Sequence, residues 1–151
     1  MLALARRLNT RHNLTIITNS LMAASELMET PHRLILLGGE FRPRSRTLVG
    51  PLTGRILSSL TIQKAFLGTM GFTLEDGIST SDPNEAYTKE LVMRHASKVI
   101  LLLDSSKLGV PSFAASGEIS DIDVIVTDDG VPEKVAAALR KRHIELVTPG
   151  S

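Results

Sequence analysis

Apolar and polar positions along the chain switch repeatedly between a period near 3.6 and short unbroken apolar runs, which predicts helices alternating with buried strands. Leu2, Ala5 and Leu8 fall on one face of an initial helix, and residues 14–18 form a strand. Residues 20–28 follow as a helix with Leu21, Ala24 and Leu27 at apolar spacing, and then comes a strand at 33–37. After Gly38-Gly39 the pattern predicts an irregular or short extended stretch. A helix at 51–60 follows, with proline suited to its first turn and Leu52, Ile56 and Leu60 as its stripe. A strand at 64–68 leads through a long Gly/Thr/Ser/Asp loop, with turns at Gly71 and Asp76-Gly77, to a helix at 84–96 and a strand at 98–103. A strand at 124–127, a helix at 133–142 and a short strand at 144–147 complete the series. Right-handed crossovers between such units make most of the sheet parallel. The fold class is therefore α/β, a mostly parallel doubly wound sheet with helices on both faces. A doubly wound domain normally opens on a strand, whereas this chain opens on a helix; the expectation is an N-terminally truncated domain over residues 1–151 that lacks its first strand.

Composition supports that class and removes several others. The 151 residues are 42% hydrophobic and 22% charged, enough for one soluble domain with a real core. Aromatic residues are only 3%, and the apolar content is mostly Leu, Ile, Val and Ala, as expected for a parallel sheet covered by helices. There is no cysteine, so neither a disulfide framework nor a thiolate metal site is available. The histidines, at positions 12, 32, 95 and 143, show no ligand spacing, so no metal and no cofactor is expected. The arginines within Met-Leu-Ala-Leu-Ala-Arg-Arg-Leu exclude a signal peptide and a membrane span there, and the expected location is the cytoplasm.

A net charge of +1 argues against a strongly basic nucleic-acid-binding domain. Two basic clusters stand out. Arg140-Lys141-Arg142-His143 closes a predicted helix, where cations favour the negative end of the dipole. Arg42-Pro43-Arg44-Ser45-Arg46 lies in a loop that is either plain surface or a meeting place for an anionic ligand or a neighbouring subunit.

Four segments are candidates for chemistry. Thr18-Asn19-Ser20 ends a strand and opens a helix, so Asn19 or Ser20 either caps that helix or leaves its free N–H groups to an anion. Gly38-Gly39-Glu40 ends the next strand, where paired glycines suit a turn or close approach of a ligand to the backbone. Glu85 and Lys89 lie four apart on one helix face, an ordinary surface ion pair worth about 0.3 kcal/mol, unless that face meets a ligand. In that case Glu85 accepts from sugar hydroxyls and Lys89 supports a phosphate. Asp104-Ser105-Ser106-Lys107-Leu108-Gly109 follows a buried strand directly, and a lysine at the C-terminal edge of a parallel strand is well placed to meet an anion.

Together these segments resemble the C-terminal effector-sensing domain of the DeoR family of bacterial transcriptional regulators. The residues carrying the likeness are Leu14-Thr15-Ile16-Ile17-Thr18-Asn19-Ser20, Leu37-Gly38-Gly39-Glu40, Val49-Gly50-Pro51, Phe66-Leu67-Gly68-Thr69-Met70-Gly71, Asn84-Glu85-Ala86 with Lys89, and Leu103-Asp104-Ser105-Ser106-Lys107-Leu108-Gly109. They cover nearly the whole chain in order. The resemblance implies the fold of ribose-5-phosphate isomerase and glucosamine-6-phosphate deaminase, used to bind a phosphorylated sugar or related metabolite within a homo-oligomeric repressor of sugar metabolism. Operator DNA is bound, in the family, by an N-terminal winged helix-turn-helix that this sequence does not contain. No membrane partner is implied. Asn19, Ser20, Gly38, Gly39, Glu85, Lys89 and Lys107 are then expected to line one effector crevice, with no catalytic residue among them. Two alternatives stay open: a sugar-phosphate isomerase or deaminase with Glu85 as base and Lys107 as anion stabiliser, and a module serving assembly alone.

Overall fold

Leucine and alanine spaced three apart at the start of the chain form α1, Leu2–Leu8, with Ala5 buried. A turn through Asn13, at φ 56°, leads into β1, Thr15–Thr18. Ser20 caps α2, Leu21–Glu26, and the chain returns as β2, Arg33–Leu36. β2 pairs in parallel with β1, Thr15 opposite Arg33 and Thr18 opposite Leu36. The structure, a computed structural model, describes residues 1–150, and these elements belong to the first of its two units, Met1–Ser59. His32 fills a structural place in this unit: its Nε2 lies 2.9 Å from the Leu8 carbonyl oxygen and its Nδ1 accepts from the Leu14 N–H at 3.4 Å.

The irregular stretch expected after Gly39 is a hairpin, β3 (Glu40–Arg42) paired antiparallel with β4 (Thr47–Val49). Its strands are only three residues long and its turn is arginine-rich, so no apolar run signals it. Gly50, at φ 96°, precedes α3, Pro51–Leu57, and Pro51 occupies the first turn as expected. The buried face of α3 is not the expected Leu52/Ile56/Leu60 stripe. Thr53, Gly54 and Leu57 are buried, whereas Leu52 is 66% exposed. Thr53 takes the inward position because its hydroxyl has a carbonyl partner there, described below.

The second unit begins at Leu60. Its centre is a parallel sheet in the order β11-β10-β8-β5, formed by β5 (Ala65–Gly68), β8 (Val99–Leu102), β10 (Val124–Val126) and β11 (Glu145–Val147). Leu101 lies opposite Leu67 on one side and Ile125 on the other. Both Leu101 and Ile125 are fully buried, which is why the interior strands carry continuous apolar runs. Phe72, Met93, Val99, Leu139 and Ile144 complete the same core. The α/β class and the parallel sheet follow the periodicities read above.

The expected long loop after Gly68 is a correction. It holds a second hairpin, β6 (Gly71–Thr73) and β7 (Gly77–Thr80), and β7 also pairs antiparallel with β9, Ala114–Gly117. Of the two expected turns, Asp76-Gly77 lies at the hairpin's turn, where Gly77 has φ 72° and the Asp76 N–H is held by the Thr73 hydroxyl at 2.9 Å, whereas Gly71 is the first residue of β6. β9 escapes the sequence because Ala114-Ala115-Ser116-Gly117 has no apolar alternation. Its small residues serve close packing against α4, Pro83–Arg94; a Cβ at Gly117 would collide with the Met93 side chain. α5, Glu133–Lys141, joins β10 to β11. Of its closing cations, Arg142 donates to the Ala138 carbonyl at 3.3 Å, as expected at a helix C-terminus, whereas Arg140 reaches back to Glu133 in the first turn at 3.0 Å.

Candidate functional site

In an open parallel sheet the loops at the C-terminal strand ends are the natural ligand positions. Asn19, Ser20, Gly38, Gly39 and Lys107 follow such strand ends, whereas Glu85 and Lys89 lie on helix α4. In the first unit, the Leu37 N–H donates to the Thr18 carbonyl at 2.8 Å, so the ends of β1 and β2 deliver Asn19-Ser20 and Gly38-Gly39 side by side. Asn19 fastens its strand end to the hairpin: its side-chain amide donates to the Leu48 carbonyl at 2.9 Å, and its own carbonyl accepts the Leu48 N–H at 2.8 Å. Ser20 accepts the Ala23 N–H on its hydroxyl at 3.2 Å, the capping alternative raised by the sequence.

The two glycines have separate uses. The Gly38 carbonyl accepts from the Thr53 hydroxyl at 2.7 Å. A Cβ at Gly39 would lie 2.7 Å from the Val49 carbonyl oxygen and against the Thr53 hydroxyl, so the protein itself makes the close approach there. A Cβ at Gly38 would meet nothing within 4 Å. The arginine-rich loop nearby is internally organised: Arg42 donates to the Ser45 hydroxyl at 3.2 Å, that hydroxyl lies 2.7 Å from the Thr47 hydroxyl, and Arg46 adopts φ 54°.

In the second unit, Asp82 caps α4 by accepting the Glu85 N–H at 2.9 Å. Lys89 Nζ lies 2.9 Å from Glu85 Oε1, as the spacing predicts, but the side chains are only 13% and 15% exposed. The expected solvated pair is therefore a largely desolvated one, on a helix whose Ala86 and Thr88 are buried. α4 ends beside the start of β5, where the Ile62 N–H meets the His95 carbonyl at 3.0 Å. Twelve residues span about 18 Å, which carries the Glu85 end toward the opposite, C-terminal edge of the sheet.

At that edge β8 delivers the Asp104–Gly109 segment. Asp104 caps a 3-10 turn, Ser105–Lys107, by accepting the Ser106 N–H at 3.2 Å and the Ser106 hydroxyl. That hydroxyl, reinforced by the Lys107 charge and backbone N–H groups, holds the Asp104 carboxyl below the usual aspartate range against the opposing effect of desolvation. Lys107 itself is half-buried. The turn is tied sideways to β6 by the Gly109 N–H on the Phe72 carbonyl at 2.8 Å.

Asp128 is the residue that sequence reasoning missed, since Asp128-Asp129-Gly130 reads simply as a link to the last helix. It stands at the C-terminal end of β10, beside the end of β8, where the Leu103 N–H donates to the Val126 carbonyl at 3.2 Å. Its Oδ2 accepts the Ser105 N–H at 2.9 Å and its Oδ1 the Gly130 N–H at 2.8 Å. The Ser105 N–H first, then the Ser105 hydroxyl and the Gly130 N–H, hold its carboxyl below the usual range. The signal in the sequence was positional, an acid at a strand end adjacent to Asp104.

A family model for the DeoR C-terminal sensor domain matches residues 1–129. The lactose phosphotransferase system repressor of Staphylococcus epidermidis is 38% identical over 135 residues, which cover 87% of this chain and 53% of that protein. The glycerol-3-phosphate regulon repressor of Escherichia coli is 33% identical over 145 residues, covering 95% and 58% respectively. The HTH-type transcriptional regulator GlpR of Haloferax volcanii is 38% identical over 112 residues, covering 74% and 44%. The chain spans about half the length of the curated relatives it matches.

Proposed function

This chain belongs to the DeoR family through its C-terminal sensor domain, and from that premise we propose that it binds a phosphorylated sugar or related metabolite as the sensing part of a longer transcriptional repressor. Relatives of this chain are transcriptional regulators, and the chain is a sensor domain rather than an enzyme. The observation that supports the ligand reading is the Asp104–Lys107 turn, which sets the half-buried Lys107 just beyond the C-terminal end of a buried parallel strand. In the second unit Lys107 meets the anionic group, Glu85 accepts from hydroxyls and Lys89 supports the charge. Asn19, Ser20, Gly38 and Gly39 of the first unit are proposed by themselves as a separate polar strand-end region, in which Gly38 is exposed.

Operator DNA is then contacted by a helix-turn-helix module of the longer protein, in the cytoplasm, and the sensor assembles with further copies of itself. Among the described residues no helix is long and apolar enough to cross a membrane. Effector occupancy alters DNA affinity only if the metabolite binds one arrangement of the assembly better than another.

Calorimetric titration with glycerol 3-phosphate, hexose 6-phosphates and the unphosphorylated parents tests the reading. Saturable binding of one phosphorylated compound supports it; preference for an unphosphorylated parent would replace it.

A further inference from the structure

The turn bearing Lys107 is not self-supporting. Its internal hydrogen bonds are few: the Lys107 N–H on the Asp104 carbonyl at 3.0 Å, the Leu108 N–H on the Ser105 carbonyl at 3.1 Å, and the Ser106 contacts with Asp104. A 3-10 turn of three residues has poor intrinsic hydrogen-bond geometry and needs outside support. Support comes at its end from β6, through the Gly109 N–H on the Phe72 carbonyl, and at its start from the loop after β10. Asp128 grips the first residue of the turn through the Ser105 N–H at 2.9 Å, while its other oxygen grips the Gly130 N–H at 2.8 Å. Gly130 lets the two loops meet closely: a Cβ there would strike the Ser105 hydroxyl and lie 2.9 Å from Asp128 Oδ1, so both side chains would have to shift.

We propose that Asp128 and Gly130 are positioning residues for anion recognition, acting from β10 to fix the turn that presents Lys107. This rests on the effector reading of Lys107 given above. Asp128 does not touch the ligand in this account; as an acid it would repel a phosphate brought against it. Its carboxylate instead uses both oxygens on backbone N–H groups, a charge-assisted arrangement that holds the turn closed while the side chain remains ionised. An amide in the same place has only one acceptor oxygen for the two donors and turns an NH2 toward the other.

Ligand affinity and local order are measured together on the intact chain and on Asp128→Asn, Asp128→Ala, Gly130→Ala, Lys107→Ala and the Asp128→Ala/Lys107→Ala double variant. The probes are glycerol 3-phosphate, glucose 6-phosphate and inorganic phosphate. The expected result is a tenfold or greater loss of affinity in each Asp128 variant and in Gly130→Ala. The double variant should bind no more weakly than Lys107→Ala alone, because the lysine's contribution is lost once the turn is released. In the wild-type chain the Ser105 and Gly130 amide resonances should shift together as the Asp128 carboxyl titrates, a signature that mere loss of stability does not produce. Binding unchanged in Asp128→Ala, or additive losses in the double variant, would overturn the positioning role and leave the sensor reading standing. A wild-type chain that binds no probe, with the coupled amide shifts present, would instead remove the sensor reading on which the proposal stands.

Discussion

Lys89 Nζ sits 2.9 Å from Glu85 Oε1 one turn along α4, with both side chains mostly removed from water. The distance is that of any good surface pair; the burial is not. In the buried setting each charge depends on the other, because desolvation is severe unless a partner is present.

Glu85→Gln should therefore cost far more than an exposed pair would. It leaves the Lys89 ammonium without its carboxylate, and the expected loss is about 3 kcal/mol. Glu85→Gln combined with Lys89→Met should lose less than the sum of the two single variants. Urea unfolding midpoints measure both, and single-variant losses of only about 0.3 kcal/mol would return the pair to the solvent-screened class.

Gly38 and Gly39 should separate cleanly. Gly39→Ala forces a Cβ against the Val49 carbonyl oxygen and the Thr53 hydroxyl, and is expected to cost about 2 kcal/mol. Gly38→Ala has open space and should stay within about 0.5 kcal/mol of wild type. If Gly38 meets the effector, the same substitution weakens binding without moving the melting temperature. Equal thermal losses in the two variants would contradict this division.

Much of the scaffold was legible because its periodicities are strong. Val99–Leu102 is a continuous apolar run, and Leu2, Ala5 and Leu8 repeat at helical spacing, so the parallel strands and principal helices follow directly. The three-residue strands of the hairpins carry no such signal. β9 is built of Ala, Ser and Gly and lies against α4, with the end of the Met93 side chain over Gly117, a tertiary contact invisible to local pattern. The stripe on α3 misled for the converse reason: Thr53 goes inward to reach the Gly38 carbonyl, while Leu52 stays out. At the site, the Glu85–Lys89 spacing gave the pair but not its burial. Asp128 showed only its place at a strand end, because its partner, the Ser105 N–H, lies 23 residues away.

Acid should loosen the Lys107 turn before it unfolds the core. Asp104 and Asp128 are both held below their ordinary value of 3.8, so the native state binds fewer protons than the unfolded chain just below that pH. Their stabilisation is present above about pH 4 and is lost as pH falls through the lowered native values. Urea midpoints taken at pH 6, 4 and 3 should fall less steeply in Asp128→Asn than in wild type. Parallel slopes would show that Asp128 plays no part in acid sensitivity.

Lys107→Ala should weaken a phosphorylated ligand at least tenfold while barely changing the affinity of its unphosphorylated parent. The difference isolates the lysine's charge from the shape of the loop. Paired calorimetric titrations read it directly, and equal weakening of both compounds would count against the phosphate role.

The sensing account is met most directly by a thermal-shift titration of the chain against sugar phosphates and their unphosphorylated parents, with product formation followed in the same samples. A ligand that binds only the native state raises the melting temperature by mass action, about 2.7 kcal/mol of stabilisation at a hundredfold excess over Kd. The account predicts a saturable rise with one phosphorylated compound, none with its parent, and no turnover. A rise accompanied by turnover that disappears in Glu85→Gln, or a rise with the unphosphorylated parent alone, would contradict it.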